Sequence, residues 1–186
     1  AVSSASLMRQ AIVQVLHHTV HRSAFQKKLI DQPLMKNVIA DMILESDAAA
    51  NLAMRVARSV DCQEEDENEK SIARIFTTIS KYWIIKRAPY LIFEALECHG
   101  GPGYIEESIM PRLYREAPLN SIWEGSGNVM CVDVLRAMQK DKNAISSVFN
   151  ELEKARGLNS DYDLNIDNLF LELKKPVDLE IKSRSI

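Results

Sequence analysis

Apolar residues recur at helical spacing over the first sixty positions and predict two long helices. The first runs to about His21 and ends near Arg22. The second begins at Pro33, which suits the first turn of a helix, and extends for about 25 residues or more. The apolar positions that define the two faces are Leu7, Ala11, Val15, Leu16, Leu34, Val38, Ile39, Met42, Ala49, Ala53, Met54 and Ala57.

The same spacing predicts a third and a fourth helix. The acidic segment 64–69 interrupts the pattern and is predicted to be a solvated loop and helix start, because its carboxylates favour the positive end of a helix. The third helix then continues to Cys98 and should be kinked by Pro89, which removes one hydrogen bond. The fourth spans Asn128 to about Gln139. Three long helices and a shorter fourth predict an all-α, up-down four-helix bundle.

From Asp141 onward the chain changes character. Two amphipathic segments predict further helices, which we interpret as an added helical tail. We therefore expect a bundle domain over residues 1–140 and a helical extension over residues 141–186. The apolar positions in the extension are Ile145, Val148, Phe149, Leu152, Leu164, Ile166, Leu169, Phe170, Leu171 and Leu173.

Composition limits the classes of protein to consider. The 186 residues are 46% hydrophobic and 26% charged, a balance typical of a globular domain. The net charge of -3 offers no basic surface for nucleic acid, so nucleic-acid binding is disfavoured. No apolar run approaches the ~20 residues that span a bilayer, and no membrane association is expected.

Three separated cysteines, Cys62, Cys98 and Cys131, show no metal-binding spacing. They favour a reducing, intracellular compartment and leave the choice between mitochondrion and cytoplasm undecided. The chain starts on small and apolar residues without an initiator Met, so we expect it to be part of a longer protein.

Glu124 is the strongest candidate for catalysis. It lies between Trp123 and a Gly-Ser-Gly turn, where an indole could remove water from the carboxylate and raise its pKa. A carboxylate in that setting can act as a general base. The alternative is an ordinary surface Glu beside a loop glycine, and spacing alone does not decide between the two.

The glycines at positions 100–103 allow two interpretations. They can simply end a helix, or they can let a flat cofactor or a pyrophosphate approach the backbone. They are not a dinucleotide-binding fingerprint, because they end a helix instead of opening one after a strand.

Two further groups have simpler explanations. His17 and His21 are four residues apart, a spacing that can bind a metal, but no Cys or carboxylate cluster accompanies them, and no metal site is expected. Lys81, Lys86 and Arg87 are typical of a solvated helix face.

Five short motifs, in this order and at these separations, resemble the C-terminal half of acyl-CoA dehydrogenases. The resemblance covers about residues 5–139, and the phrases at 86–89 and 119–128, with the added tail, are most similar to the AidB-like branch. The motifs are Arg-Ser-Ala-Phe at 22–25, Ala-Asp-Met at 40–42, Gly-Gly-Pro-Gly-Tyr at 100–104, Pro-Arg-Leu-Tyr-Arg-Glu at 111–116 and Trp-Glu-Gly-Ser-Gly-Asn at 123–128.

The resemblance implies that FAD, bound mainly by a neighbouring subunit, contacts the first motif. Arg22 would contact the pyrophosphate and Phe25 the ring system, with Leu29 completing the apolar contact. Gln26 replaces the glycine that usually follows this Phe, which puts the local turn in doubt.

The same cofactor is implied at the end of the third helix. Glu97 stands where the family usually has Gln, so an amide that donates and accepts becomes a carboxylate that only accepts when ionised. Gly101 would bring the backbone close to the cofactor.

The last motif supplies the implied catalytic and substrate-binding residues. Glu124 occupies the position of the catalytic base, and Trp123 and Gly125 would contact substrate. Ser126 and Asn128 replace the commoner Thr and Gln that contact flavin, and both keep the ability to form hydrogen bonds.

The implied activity is the α,β-dehydrogenation of an acyl-CoA thioester in fatty acid metabolism, which yields a 2,3-enoyl-CoA and reduced FAD. The implied partners are N-terminal domains of the same protein and further copies in a dimer or tetramer, without which this segment should be inactive. An alternative is an AidB-like flavoprotein that mainly binds or protects nucleic acid, although residues 141–186 carry seven basic and nine acidic side chains, a net of 7 - 9 = -2. A purely structural bundle that mediates oligomerisation would need neither the 100–103 loop nor the 123–125 loop.

Overall fold

A computed structural model describes residues 1–174 and 179–184 of the chain. The predicted all-α class, with three long helices, a shorter fourth and helices in the tail, is confirmed. One short antiparallel hairpin of β1 (Ser23–Ala24) and β2 (Lys27–Lys28) follows the first helix and was not predicted. The helices are α1 (Val2–His21), α2 (Pro33–Cys62), α3 (Glu67–His99), α4 (Gly101–Tyr104), α5 (Met110–Glu116), α6 (Gly127–Lys140), α7 (Ala144–Glu153), α8 (Ser160–Lys174) and α9 (Leu179–Lys182).

Local chemistry explains where α3 begins and ends. The Asp66 carboxylate accepts the backbone N–H of Asn68 at 2.8 Å, which satisfies a donor that the helix itself leaves unpaired. The helix continues through Pro89, although the carbonyl of Ile85 cannot receive a hydrogen bond from that residue. It ends at His99, where Gly100 takes a left-handed φ of 63° that side chains resist.

Residues 1–55 and 80–126 form one compact unit, and its core is built on α1, the first part of α2 and the last part of α3. Met8, Ile12 and Val15 of α1 are fully buried, which matches one apolar stripe at helical spacing. Other members of this core are Ala5, Ala11, Ile39, Met42, Ala49, Ala53, Ile84, Ala88, Leu91, Ile92, Ala95, Cys98, Met110, Leu113 and Ala117.

Two apolar residues of α2 do not lie in this core as predicted. Leu34 is 80% exposed and Met54 is 69% exposed. Met54 lies about 100° around the helix from the buried Ala53, because consecutive residues of an α-helix are separated by that angle. The predicted apolar face of α2 was therefore too wide.

Residues 56–79 and the chain from 127 onward form the second compact unit. Arg74 of α3 donates two hydrogen bonds to the Asp133 carboxylate of α6, at 2.8 and 2.7 Å. This bidentate pair holds the pKa of Asp133 below its usual value. In the tail, the rings of Phe149 and Phe170 pack edge to face with centroids 4.9 Å apart.

Within the described part of the chain, no helix has both the length and the apolar character needed to cross a membrane. Cys62, Cys98 and Cys131 carry free thiols. Burial raises the pKa of the Cys98 thiol to about 11.

Candidate functional site

The hairpin after α1 carries the first group of candidate residues. Its two central residues, Phe25 and Gln26, both have positive φ, 51° and 65°, as in a type I′ turn. The turn therefore forms with Gln26 in place of glycine. Because a side chain in this region is strained, the substitution costs about 1 kcal/mol.

This turn exposes Phe25 and links it to the other two residues of its group. The Phe25 side chain is 94% exposed at the tip of the hairpin. The backbone N–H of Leu29 donates to the carbonyl of Arg22 at 2.9 Å, which closes the base of the hairpin. Arg22, Phe25 and Leu29 therefore belong to one ordered segment in which the aromatic ring is available to a ligand.

The end of α3 presents Glu97 and Gly101 to solvent. The carbonyl of Glu97 accepts the N–H of Gly100 at 2.9 Å. No atom lies within 4 Å of the point where a Cβ on Gly101 would stand, so the backbone there is open to a flat or phosphate-bearing ligand. Gly103, in contrast, has no such space.

A pair of histidines shows that the ends of α1 and α3 are neighbours. The rings of His18 and His99 lie 4.7 Å apart between centroids. Burial, then the charge of His99, lowers the pKa of His18. The hairpin after His21 and the glycine loop after His99 therefore leave the same end of this compact unit.

The loop at 123–126 holds the predicted base in an unusual backbone conformation. Glu124 has φ 54° and Gly125 has φ 106°. The Glu124 carboxylate is exposed, and the Trp123 indole is 52% exposed and donates its N–H to the Asn120 side-chain oxygen at 3.1 Å. A carboxylate with access to solvent on a positive-φ turn can receive a proton from a ligand docked against this loop.

Lys81 is the functional candidate that the sequence did not reveal. Its ammonium donates to three consecutive carbonyl oxygens, those of Trp123 and Glu124 at 2.7 Å each and that of Gly125 at 3.0 Å. Its acceptors are 42 to 44 positions further along the chain, so local pattern gave no signal. The sequence predicted only a solvated lysine.

These carbonyls also fix the direction of the loop's N–H groups. In a trans peptide the C=O and the following N–H point in opposite directions, so the N–H groups of Glu124, Gly125 and Ser126 face away from Lys81. Among residues 1–174 and 179–184, no carbonyl accepts any of these three N–H groups. The loop therefore offers unpaired donors beside an exposed carboxylate.

The two groups of candidates lie far apart along α3. Lys81, which holds the 123–125 loop, precedes His99 by 18 residues. At 1.5 Å per residue the two positions are about 27 Å apart. The candidate residues of the hairpin and the glycine loop thus form one group, and those of the Glu124 loop form a second group.

Ser126 and Asn128 follow Glu124 and are both exposed. Asn128 lies in the first turn of α6, and its side-chain oxygen accepts a hydrogen bond from Arg184 at 3.1 Å. The described end of the tail therefore reaches a residue predicted to contact flavin.

The histidine pair of α1 is occupied by contacts within its own helix. His21 Nδ1 lies 2.7 Å from the carbonyl oxygen of His17, and the two rings are 4.6 Å apart. Among the described residues, no group of three or more His, Cys, Asp or Glu side chains could hold a metal ion.

Comparison with known proteins identifies relatives over nearly the whole chain. Residues 1–139 match the family model described as acyl-CoA dehydrogenase, C-terminal domain. AidB of Escherichia coli (strain K12) is 40% identical over 178 residues, which is 96% of this chain and 33% of that protein. The structure of Bd2924 in its apo form has a TM-score of 0.89 and 29% identity, over 98% of this chain and 36% of that chain.

A second solved structure agrees in fold. Caenorhabditis elegans ACDH-11 in complex with C11-CoA has a TM-score of 0.87 and 24% identity, over 98% of this chain and 35% of that chain. At that identity the likeness shows the fold alone. The chain spans about a quarter to a third of the length of the curated relatives it matches.

Proposed function

The chain belongs to the acyl-CoA dehydrogenase family as an AidB-like C-terminal domain, and we propose that it supplies the catalytic base for α,β-dehydrogenation of an acyl-CoA thioester. The observation that carries this proposal is the 123–126 loop. It places an exposed carboxylate, that of Glu124, beside backbone N–H groups that no carbonyl of the described chain accepts.

The reaction assigns one task to each part of this loop. An α-proton beside a thioester is too weakly acidic for an ordinary carboxylate unless the carbonyl oxygen is polarised. The N–H of Glu124 donates to that oxygen and stabilises the negative charge that develops there. The Glu124 carboxylate takes the α-proton, and the C–H electron pair forms the new double bond. FAD, when bound, accepts the β-hydride, so the products are a 2,3-enoyl-CoA and reduced flavin.

The residues present suit FAD at two places along α3, at its C-terminal end and beside Lys81. The open backbone at Gly101 and the exposed ring of Phe25 fit a flat cofactor, with Arg22 for its pyrophosphate and Leu29 and Glu97 beside them. Ser126 and Asn128 follow the base and would contact flavin. Because the two sets are about 27 Å apart along α3, we propose that the first contacts the cofactor of a neighbouring subunit.

The remaining partners follow from the same proposal. Trp123 and Gly125, on either side of the proposed base, would contact the acyl-CoA. Domains outside this chain and a dimer or tetramer would complete the cleft. We propose that the family domain is a helical bundle over residues 1–140 and that residues 141–186 are a helical extension of it. We also propose that the protein is intracellular.

The proposal is tested on the full-length protein purified from cells. We expect bound flavin with its oxidised absorption spectrum, and bleaching of that spectrum when acyl-CoA thioesters of graded chain length are added without oxygen. A matched series of CoA thioesters that lack an α-hydrogen should leave the spectrum unchanged. A flavin that no saturated acyl-CoA bleaches would contradict the proposal.

Nucleic-acid binding is the weaker interpretation of the tail, because three of its basic side chains form ion pairs with carboxylates of the tail itself. Lys154 pairs with Glu151 at 2.6 Å, and Lys182 with Glu172 at 3.1 Å. Arg156 pairs with both Glu153 and Asp167. We therefore expect no salt-dependent binding of duplex DNA. Fluorescence anisotropy at roughly 50 to 200 mM salt measures this, because affinity that depends on phosphate contacts falls strongly over that range. A steep salt dependence would restore this reading.

A further inference from the structure

The Lys81 ammonium donates hydrogen bonds to backbone carbonyls on both sides of the proposed base, Glu124. The three carbonyl oxygens that it contacts belong to the residues before, at and after that base, all within 3.0 Å. We infer that Lys81 is a positioning residue, which holds the Glu124 loop in the conformation that proton abstraction requires. The inference rests on the proposed function of Glu124.

The match between donor and acceptors is complete. An ammonium group has three N–H donors, and here three carbonyls converge on it. Lys81 is half-buried, so these charge-assisted bonds are less weakened by water than bonds on an open surface. A neutral side chain at this position would leave three carbonyl oxygens without their shared donor.

The loop needs such a clamp because its backbone is strained. Glu124 has φ 54°, a left-handed conformation that a non-glycine residue keeps only when its surroundings enforce it. Gly125 tolerates its own positive φ of 106°. Without Lys81, we expect Glu124 to return to a negative φ and its carboxylate to move.

The clamp also sets the donors that face the substrate. The C=O groups turned toward Lys81 force the N–H groups of Glu124, Gly125 and Ser126 to the opposite side. One ammonium therefore orients both the proton acceptor and the N–H that would polarise the thioester carbonyl.

The test compares variants of the full-length, flavin-loaded protein. Lys81→Met keeps the length of the side chain and removes the ammonium, Lys81→Arg keeps the charge, and Lys86→Met is the matched control on the same helix. We expect Lys81→Met to bind flavin and acyl-CoA almost as wild type, but to slow anaerobic flavin reduction by roughly ten- to a hundredfold. Lys81→Arg should recover part of the rate, and Lys86→Met should behave as wild type.

Two readouts separate positioning from general stability. In a Glu124→Gln background, the Lys81→Met change should cost a smaller factor than in wild type, because part of its effect acts through Glu124. Equal factors in both backgrounds, or a Lys81→Met protein that reduces flavin at the wild-type rate, would overturn the inference. In a crystal structure of the Lys81→Met protein, the three carbonyls should no longer converge and Glu124 should lose its positive φ.

This structural readout does not depend on the reaction. If wild type binds flavin but no acyl-CoA reduces it, the proposed function fails, and a loop rearranged in the Lys81→Met crystal still supports the clamp. If the loop keeps its conformation without the ammonium, the clamp is wrong whatever the activity.

Discussion

Replacing Glu124 with Gln is expected to slow flavin reduction by an acyl-CoA about 10³-fold while leaving the binding of both ligands nearly intact. The amide has almost the same shape as the carboxylate but cannot take the α-proton. The backbone N–H groups of the loop are unchanged, so the thioester carbonyl is still held. The rate of bleaching in an anaerobic stopped-flow experiment, at saturating acyl-CoA, measures this effect directly.

The matched control is Glu107→Gln, the same chemical change at an exposed carboxylate of the same domain. It should reduce flavin at the wild-type rate. If Glu124→Gln is bleached as fast as wild type, another group removes the proton and the assignment of the base is wrong.

The course of the chain through its helices could be predicted because local signals determine it. Helical spacing, Pro33 at a helix start and Gly100 after the third helix marked boundaries that the structure reproduces within a few residues. Burial was harder to predict. Leu34 and Met54 have suitable side chains but lie at the side of the α2 stripe, and apolar character alone does not show that angle.

The hairpin tip shows where a substitution misleads. Loss of the usual glycine at Gln26 put the turn in doubt, yet the structure keeps both central residues at positive φ. The hydrogen bond from the Leu29 N–H to the Arg22 carbonyl joins the two residues that flank the hairpin. Contacts that flank the tip therefore hold a conformation that the local sequence resists.

Some residues of the candidate site could be predicted from the sequence and others could not. Glu124 could be identified because its motif is contiguous, and its neighbours carry the resemblance. Lys81 could not, since its three partners lie in a distant segment and the residue itself resembles any lysine on a helix. The sequence predicted that the Trp123 indole would shield the Glu124 carboxylate from water. In the structure the indole N–H donates to the Asn120 side chain, and half of the Trp123 side chain is exposed.

Two glycines of the short helix α4, Gly101 and Gly103, should respond in opposite ways to alanine. A Cβ on Gly103 would stand 2.8 Å from the Cβ of His99 and even closer to the carbonyl oxygen of Leu96. Because that oxygen belongs to the backbone of α3, the clash cannot be relieved by a side-chain rotation. We expect Gly103→Ala to cost about 3 kcal/mol and to lower the melting temperature by a few degrees.

Gly101→Ala should instead fold as wild type and fail to hold the cofactor. Its Cβ would meet no atom within 4 Å, and its φ is not in the left-handed region, so neither packing nor strain opposes the change. The added methyl group would, however, occupy the space through which we propose that FAD reaches the backbone. Thermal melting of the deflavinated full-length variants, together with the flavin content of the proteins as purified, separates the two effects. A Gly101→Ala protein that retains full flavin would remove Gly101 from the cofactor site, whereas an unchanged melting temperature for Gly103→Ala would show that α3 and the loop can move apart.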